Sequence, residues 1–507
     1  MGVAALALIP LVYLVTRASE AGGGQVAAIL LRERTFALIG RSLAFAATVT
    51  AGCVVIGVGL AVLVARTDVP GRRLLAALAP LPLAVPSYVA AFAWISWLPG
   101  VSGFRGAVLV LTLCCYPFVY LPVLAVLRQS DGGAEEVART LGRGPWSALR
   151  AVTLPRVIPA ASAGGLLVAL YALSDFGAVS ILRYDVFTRV IHTSYSASFD
   201  RTPAAVLGLL LVLITVLLAV GERLARRREV ASVGGGSARP PARLPLGRAR
   251  IAASLAAYAV LGLALLVPLT ALLFWFATGL SSGLEWDRLL PALGATAWFA
   301  GLGAVAATIA AIPVGVLAAR HRGRLATGVE QAIWAAHALP GLVVGLAIVF
   351  LGIRVLPGLY QRTPLLVLAY VVLFLPAAVA SVRASVALSS PRIEEVARSL
   401  GARPGEVLRR VTLPLAAPGI GAGAALVLLT AMKELPATLL LRPTGVDTLA
   451  TRLWSHTGVG AYAAAAPYAL LLVLLAVLPT IALMRATGAW GEAGRGVATG
   501  ASQEIRA

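Results

Sequence analysis

Apolar and polar positions alternate along this chain in long blocks, because extended apolar runs are separated by short segments that hold most of the charged residues. A membrane core about 30 Å thick is crossed by about 20 helical residues. Twelve runs suit that length, near 2–16, 42–64, 74–97, 106–127, 157–182, 203–221, 251–276, 294–318, 329–351, 364–387, 416–441 and 462–484. The pattern predicts an all-α integral membrane protein with about 12 transmembrane helices.

The first run is the shortest, since only Gly2 to Val15 is uninterrupted. A secretory signal peptide is the alternative, but such a peptide starts with a positively charged region. No basic residue precedes this run. We therefore interpret it as a first span.

The composition agrees with a membrane protein. Hydrophobic residues make up 59% of the 507 residues and charged residues 12%, against about 25% charged in ordinary soluble proteins. The net charge of +21 would point a soluble protein towards nucleic acid. Here the basic residues lie between spans and form no stripe with aromatic residues, so we predict membrane lipid, and no nucleic acid, around the chain.

The positions of the basic residues predict the orientation, because cytoplasmic connections carry an excess of Lys and Arg. With the N-terminus in the cytoplasm, the connections on that side hold 28 basic residues and those on the other side hold 13. We expect a multi-pass protein of the cell inner membrane with both termini cytoplasmic.

Metal and catalytic patterns are weak in this sequence. Cys53, Cys114 and Cys115 stand within apolar runs, and the four His show no ligand spacing. We predict neither a catalytic residue nor a metal site.

Two parts of the chain repeat each other. Residues 135–159 read EEVARTLGRGPWSALRAVTLPRVIP and residues 394–418 read EEVARSLGARPGEVLRRVTLPLAAP, with 15 identities in 25 positions at an offset of 259. Upstream, YLP at 120–122 matches FLP at 374–376 at an offset of 254. Six spans separate the copies, so both loops are predicted on the cytoplasmic face. An inverted repeat, typical of many secondary transporters, would place them on opposite faces.

Each copy has the pattern of a short helix, a glycine turn and a second short helix. Gly142 and Gly401 permit a tight turn, and Pro145 and Pro404 stand where a helix is favoured to begin. Two such loops on one face predict two equivalent docking sites for two equivalent partner proteins.

The pattern E-x-A-x-x-x-G, nine residues and then V-x-L-P resembles the EAA loop in the permease subunits of binding-protein-dependent ABC importers, which have the type I transmembrane fold. Both copies here have Val in place of the family's first Ala. The resemblance covers nearly the whole chain and is strongest to fused, double-length ferric iron permeases, through LPLAVPSYVAAFAW (81–94), RTDVPGRR (66–73), LSDFGAV (173–179) and KELPAT (433–438). Thiamine and polyamine permeases share the architecture.

The resemblance implies how the chain is organised. It implies a first transmembrane helix and outer loop (1–38), a first ABC type-1 transmembrane domain (39–221, EAA loop 134–156), a cytoplasmic linker rich in Arg, Gly and Pro (222–250), a seventh transmembrane helix and outer loop (251–290), a second ABC type-1 transmembrane domain (291–486, EAA loop 393–415) and a cytoplasmic tail (487–507). The linker contains RRR, GGG and PP, which predicts flexibility.

The resemblance also implies partners. EAA loops dock nucleotide-binding subunits, so we expect two copies of an ABC ATPase subunit on the cytoplasmic side and a periplasmic or extracellular solute-binding protein. The implied ATPase-coupling residues are Glu135, Glu136, Ala138, Gly142, Pro145, Leu154 and Pro155 in the first copy and Glu394, Glu395, Ala397, Gly401, Pro404, Leu413 and Pro414 in the second.

ATP hydrolysis is not expected of this chain. A Walker A loop needs a lysine on the phosphates, and the single lysine, Lys433, stands within a predicted span. We therefore expect no cofactor on this chain, with ATP and Mg bound in the partner ATPase.

Few ionisable residues lie within the predicted spans, where they are expensive and functional candidates. Asp175 and Glu434 are repeat equivalents at the offset of 259, and both are predicted in the outer half of the membrane. Two alternatives stay open. The carboxylates line a transport path that attracts a hard cation, with Lys433, Tyr88, Ser87 and Tyr171 as further candidates, or they are structural, with Asp175 capping a broken helix and Glu434 neutralised by Lys433 or Arg442.

Three functions compete at this point. The first is an ABC importer permease for ferric iron, or for thiamine, polyamine or another small solute. The second is an ion-gradient-driven secondary transporter, against which the parallel repeat counts. The third is a membrane scaffold without transport.

Overall fold

The structure, a computed structural model, describes residues 2–129, 132–197, 201–226, 243–281, 285–321, 323–337 and 339–486. Within these ranges the chain folds into helices joined by short turns, with no strand and one isolated β-bridge between Thr67 and Leu244. The predicted all-α fold is confirmed.

The α-helices of the described ranges are α1 (Gly2–Glu20), α2 (Gly22–Leu30), α3 (Glu33–Arg66), α4 (Arg72–Leu78), α5 (Ser87–Trp97), α6 (Gly103–Cys115), α7 (Pro117–Gln129), α8 (Gly133–Thr140), α9 (Pro145–Ala148), α10 (Leu154–Ser174), α11 (Gly177–Ile181), α12 (Phe187–Ala197), α13 (Thr202–Arg226), α14 (Arg250–Leu261), α15 (Val267–Leu280), α16 (Trp286–Arg320), α17 (Arg324–His337), α18 (Gly341–Arg354), α19 (Thr363–Leu388), α20 (Pro391–Ser399), α21 (Pro404–Val407), α22 (Leu413–Met432), α23 (Pro436–Leu441), α24 (Leu449–Gly458) and α25 (Tyr462–Ala486). Single π-helical turns are Leu149–Thr153, Gly262–Leu266 and Leu408–Thr412, and 3-10 turns are Leu81–Ala84, Gly247–Ala249 and Pro357–Leu359.

All twelve predicted apolar runs contain helix among their described residues, but several are not one straight helix. Among the described residues, eight helical segments are long and apolar enough to cross a membrane, or ten if two bent pairs each form one span. The bent pairs join α1 to α2 at 105° and residues 72–84 to α5 at 95°. Shorter apolar helices occupy the ninth and twelfth predicted spans, at Gly341–Arg354 and Tyr462–Val477.

The breaks fall where the sequence disfavours a continuous helix. Val85 is extended before Pro86, and α5 begins at the next residue, because a proline disfavours helical geometry in the residue before it. The predicted spans 157–182 and 416–441 also break, the first between α10 and α11 and the second between α22 and α23. The second break falls beside Lys433 and Glu434.

Contacts group the chain into two compact units that are not consecutive halves. The first-repeat unit comprises Phe36–Arg189, Leu217–Thr278 and Thr480–Ala507, and the second-repeat unit comprises Met1–Thr35, Val190–Val216 and Gly279–Pro479. Each unit thus combines segments from both sides of the predicted linker. The domain boundaries inferred from the sequence stay a prediction, and linker residues 227–242 and the tail 487–507 lie outside the described residues.

Small residues let the helices of the first-repeat unit approach closely. A Cβ atom built at Gly164 of α10 would stand 2.5 Å from the Phe118 carbonyl oxygen of α7, and one at Gly57 of α3 would stand 2.8 Å from the Val119 Cβ. In lipid, close backbone packing replaces the hydrophobic effect as the source of helix association. These contacts hold α3, α7 and α10 together.

The second-repeat unit packs α16, α19 and α22 in the same way. A Cβ at Gly303 of α16 would stand 2.7 Å from the Tyr370 ring, and one at Gly423 of α22 would stand 2.3 Å from the Ser381 Cβ. Gly423 and Gly164 are separated by 259 positions. The duplication therefore extends from the repeated loops into the helix packing.

Candidate functional site

The first repeated loop begins with α8 and turns sharply at Gly142. Gly142 has φ +85°, and its N–H donates to the Arg139 carbonyl at 3.0 Å, while the Arg143 N–H donates to the Ala138 carbonyl at 3.1 Å. This pair of bonds is the Schellman motif, which satisfies the last carbonyls of a helix and needs a left-handed residue. The predicted glycine turn is present.

The second repeated loop has the same geometry. Gly401 has φ +89°, its N–H donates to the Arg398 carbonyl at 2.9 Å, and the Ala402 N–H donates to the Ala397 carbonyl at 3.1 Å. Nothing lies within 4 Å of a Cβ built at either glycine. Glycine is therefore needed at both turns because of the positive φ, and not because neighbouring side chains leave no room for a Cβ.

Proline determines how each loop enters its membrane helix. Pro145 and Pro404 are at the start of the short helices α9 and α21. A single π-helical turn then precedes Leu154–Pro155 and Leu413–Pro414. A proline within a helix lacks an N–H and clashes with the carbonyl four residues earlier, and a π turn widens the helix at such a point.

One face of each loop is open and apolar. On α8, Glu136 is exposed, and the exposed fractions of Val137 and the following Leu141 are 59% and 79%. On α20, Glu395 is exposed, and Val396 and the following Leu400 are exposed by 58% and 82%. Exposed apolar side chains on a polar loop are typical of a protein interaction surface.

The other face of the first loop holds a buried ion pair. Glu135 is 7% exposed, and its carboxylate accepts from Arg66 Nη2 at 2.5 Å and from the Thr153 hydroxyl. Burial alone would raise the pKa of Glu135, but the hydrogen bonds from Arg66 and Thr153 and the Arg66 charge outweigh it, so the pKa is lowered. We name Arg66, Glu135 and Thr153 the first ion-pair cluster.

The second loop repeats this pair. Glu394 is 5% exposed, and its Oε1 accepts from Arg320 Nη2 at 2.8 Å and from the Thr412 hydroxyl at 3.0 Å. Arg320 also donates to the Ser389 hydroxyl at 2.6 Å. We name Arg320, Glu394 and Thr412 the second ion-pair cluster.

The coupling residues predicted from the sequence thus divide into two faces. Glu136 and Glu395 face outwards, whereas Glu135 and Glu394 are buried with an arginine. The buried glutamates pair with residues that were not predicted as site residues, namely Arg66, Thr153, Arg320 and Thr412. A signal was available, because the threonines belong to the repeated T-L-P and the two arginines are separated by the offset of 254 that also relates YLP to FLP.

The candidate path residues of the first-repeat unit lie around the break after α10. Asp175 Oδ2 accepts from the Ser87 hydroxyl at 2.5 Å, and its Oδ1 accepts from the N–H groups of Ala178 and Val179 at 3.0 and 3.3 Å. Tyr88 packs against Gly177, where a Cβ would stand 2.6 Å from the tyrosine Cβ. Asp175 therefore caps α11, which is the structural alternative, and its role in a path stays a prediction.

Tyr171 is more exposed than Ser87, Tyr88 and Asp175, which are all buried. It is 36% exposed, and its ring centroid lies 5.9 Å from that of Phe118.

Glu434 occupies the matching break of the second-repeat unit. Both carboxylate oxygens accept from the Ala437 N–H at 3.2 Å, and one lies 2.8 Å from a Cβ built at Gly341. Lys433 directly follows α22 as its C-cap, and Arg442 forms an ion pair with Asp447. No group of three or more His, Cys, Asp or Glu suited to a metal occurs among the described residues.

Comparison with known proteins gives a consistent result. The family model described as "Binding-protein-dependent transport system inner membrane component" matches residues 27–230 and 311–487. An Fe(3+)-transport system permease protein of Haemophilus influenzae is 35% identical over 481 residues, covering 94% of this chain and 95% of that protein. A sulfate transport system permease protein of Escherichia coli is 28% identical over 235 residues, covering 42% of this chain and 80% of that protein.

Proposed function

The chain belongs to the family of inner membrane components of binding-protein-dependent transport systems, and from that premise we propose that it forms the substrate path of an importer driven by a separate ABC ATPase. Two copies of the ATPase dock on the two repeated loops, and a solute-binding protein docks on the opposite face of the membrane. ATP and Mg bind in the ATPase and not in this chain.

The observation that carries this proposal is the equivalence of the two loops. Each loop has a first helix with an exposed apolar face, which ends in a Schellman motif at a glycine. A second short helix follows, with a proline as its first residue. Repeated surfaces of one shape suit repeated copies of one partner.

The test is to disturb both turns without changing the charge of the loops. In the variant Gly142→Val with Gly401→Val, a β-branched residue meets a positive φ that it rarely adopts. The matched control is Gly144→Val with Gly405→Val, because these glycines do not have positive φ and a Cβ at either meets nothing within 4 Å. We expect the first variant to insert normally and to lose both ATPase co-purification and ATP-dependent uptake, while the control keeps them.

Normal uptake by the first variant would contradict docking at these turns. If only that variant failed to insert into the membrane, the two glycines would be needed for folding and not specifically for docking.

Ferric iron is the proposed substrate. The relative that covers nearly the whole chain is a permease for Fe(3+), and the carboxylates of the buried Asp175 and the half-buried Glu434 suit a hard cation better than an anion. The sulfate permeases among the relatives make sulfate the natural comparison, and a carboxylate would repel it.

Proteoliposomes that contain the permease, its ATPase and its binding protein distinguish these substrates. We expect ATP-dependent uptake of ferric iron and none of sulfate. Asp175→Asn with Glu434→Gln is expected to impair that uptake, and Glu285→Gln, at an exposed residue, serves as the control. Unchanged kinetics in the double variant would favour the purely structural role of the two carboxylates.

The proposed orientation places both termini and both repeated loops in the cytoplasm. Leu141→Cys in the first loop and Val459→Cys in the outer segment 442–461 test it, since these side chains are 79% and 80% exposed and the three native cysteines are buried. A membrane-impermeant thiol reagent applied to intact spheroplasts is expected to label position 459 and not position 141. The opposite pattern would overturn the orientation.

A further inference from the structure

Arg66 and Arg320 occupy the same place in the two units. Each is the last residue of a long membrane helix, α3 in the first-repeat unit and α16 in the second-repeat unit. Each donates to the glutamate that directly precedes the exposed glutamate of a repeated loop, at 2.5 Å for Glu135 and 2.8 Å for Glu394. The ion pairs therefore join the end of a spanning helix to the first helix of the loop.

A threonine adds a third point of attachment. The Thr153 hydroxyl donates to Glu135 and the Thr412 hydroxyl donates to Glu394. Both threonines end the π turn that leads into α10 or α22. Each cluster thus connects the end of one membrane helix, the loop helix and the start of the next membrane helix through a single carboxylate.

Burying charged groups in such a cluster costs free energy, so its presence in both units suggests that the charges have a role. A charge buried away from water is expensive unless it is paired, and an apolar contact at this position would avoid the expense. The chain nevertheless has the arrangement twice, with the arginines 254 positions apart and both the glutamates and the threonines 259 positions apart. An ion pair also differs from an apolar contact because it fixes distance and direction between the parts that it joins.

We propose that Arg66 and Arg320 are positioning residues that transmit the movement of each repeated loop to its membrane helices. The inference rests on the proposed function, because it assumes that the ATPase moves the loops. The open faces of α8 and α20 contact the ATPase, and the buried carboxylates pass the displacement to the ends of α3 and α16. Without the ion pairs the loops still bind the ATPase, but their movement does not reach the spans.

The test compares transport with ATP consumption in the assembled importer. In Arg66→Gln with Arg320→Gln, glutamine keeps donor groups but removes the charge and the long reach of arginine. The matched control is Arg383→Gln, since Arg383 also pairs with a glutamate, Glu330, but the two side chains are 48% and 26% exposed and neither is part of a repeated loop. Co-purification of the ATPase, the ATP hydrolysis rate and uptake are measured for each variant in proteoliposomes.

We expect the double variant to bind the ATPase and hydrolyse ATP as the unmodified protein does, with uptake per ATP reduced by about tenfold. Partial recovery in Arg66→Lys with Arg320→Lys is expected, because lysine restores the charge. A normal uptake-to-ATP ratio in the glutamine variant overturns the proposal. So does a parallel loss of assembly, hydrolysis and uptake, which indicates a role in folding only.

A measurement on the permease alone separates this proposal from the proposed function. Thr140 and Ser399 are equivalent exposed positions at the ends of α8 and α20, and each is replaced by cysteine and spin-labelled. We expect the label to become more mobile when the arginine of the same unit is changed to glutamine, and to stay unchanged in Arg383→Gln. Unchanged label mobility overturns the anchoring, whereas absence of uptake by the unmodified importer overturns the proposed function.

Discussion

The two ion-pair clusters contain the same three residue types, but their arginines are buried to different degrees. The Arg66 side chain is 1% exposed, whereas that of Arg320 is 13% exposed. In the first-repeat unit the Arg66 carbonyl also accepts from the Leu244 N–H at 2.7 Å. The end of the predicted linker therefore lies against the residue that forms the cluster.

The second cluster adds further hydrogen-bond partners to its partly exposed arginine. Arg320 donates to the Ser389 carbonyl at 3.0 Å as well as to its hydroxyl, and Glu394 also accepts from Arg398 at 3.4 Å. A charge pair is stronger, and an unpaired charge more costly, where water is excluded. The comparison indicates that the first cluster depends on one fully buried arginine, whereas the second combines a partly exposed arginine with additional hydrogen bonds.

Removing the arginine from each cluster is expected to give the largest effect on stability. Arg66→Ala leaves the Glu135 carboxylate buried without its cation, which costs about 3–5 kcal/mol of unfolding free energy. Arg320→Ala is expected to cost less, about 1.5–3 kcal/mol, because Arg398 still donates to the Glu394 carboxylate. Unfolding of the purified permease by increasing sodium dodecyl sulfate, followed by circular dichroism, measures both.

Arg383→Ala is the control for a partly exposed pair and is expected to cost under about 1 kcal/mol. Equal losses for Arg66→Ala and Arg320→Ala would show that the difference in exposure between the clusters has no energetic consequence.

A second difference between the units concerns the carboxylates at the broken helices. In the first-repeat unit, Ser87 and Asp175 form a hydrogen bond, whereas the equivalent positions in the second-repeat unit are Gly341 and Glu434. The longer glutamate occupies the space that a side chain at Gly341 would need, since its Oε1 lies 2.8 Å from a Cβ built there. The first-repeat unit thus pairs a serine with the shorter carboxylate side chain, and the second-repeat unit pairs a glycine with the longer one.

Exchanging the pair tests this complementarity. Gly341→Ser alone is expected to cost about 1–3 kcal/mol through overpacking against Glu434. Adding Glu434→Asp shortens the carboxylate and recreates the arrangement of the first-repeat unit. We expect a double-mutant cycle of unfolding free energies to give a favourable coupling of about 0.5–3 kcal/mol.

Gly358→Ser is the matched control, because Gly358 is exposed and a Cβ there meets nothing within 4 Å. Additive costs for Gly341→Ser and Glu434→Asp would mean that the two positions do not depend on each other.

The sequence predicted the helices and the repeated loops well, since both depend on local patterns. Apolar runs long enough to span a membrane form helices whatever their neighbours, and the glycine turn at Gly142 needs only its own backbone geometry. These features required no knowledge of which segments meet in space.

The ion-pair clusters and the composition of the units could not be predicted in this way. Arg66 and Glu135 are separated by 69 positions, and nothing in either segment alone indicates that they meet. A break at Asp175 was one of two alternatives that the sequence left open, whereas the break at Glu434 was not predicted, because apolar residues precede Lys433 and follow Glu434. Which distant residues meet is determined by helix packing. In the sequence, only the repeat offsets of 254 and 259 relate the residues of one cluster to those of the other.

The smallest expected effect is on the acid stability of the first ion-pair cluster. The pKa of Glu135 is lowered in the folded protein because the bonds from Arg66 and Thr153 outweigh burial. A carboxyl whose folded pKa is lowered contributes stability above its unfolded pKa of about 4.3, and that stability is lost as the pH falls through the folded value.

Glu135→Gln removes this titration, so its stability is expected to fall less steeply than that of the unmodified protein below about pH 4.3. Glu136→Gln, on the open face of the same helix, is the matched control and is expected to keep the steeper fall. Thermal midpoints of the three proteins across this range measure the difference. Parallel curves for Glu135→Gln and the unmodified protein would mean that the first cluster does not stabilise the ionised carboxylate, and the contrast in arginine burial between the two clusters would then lose its electrostatic basis.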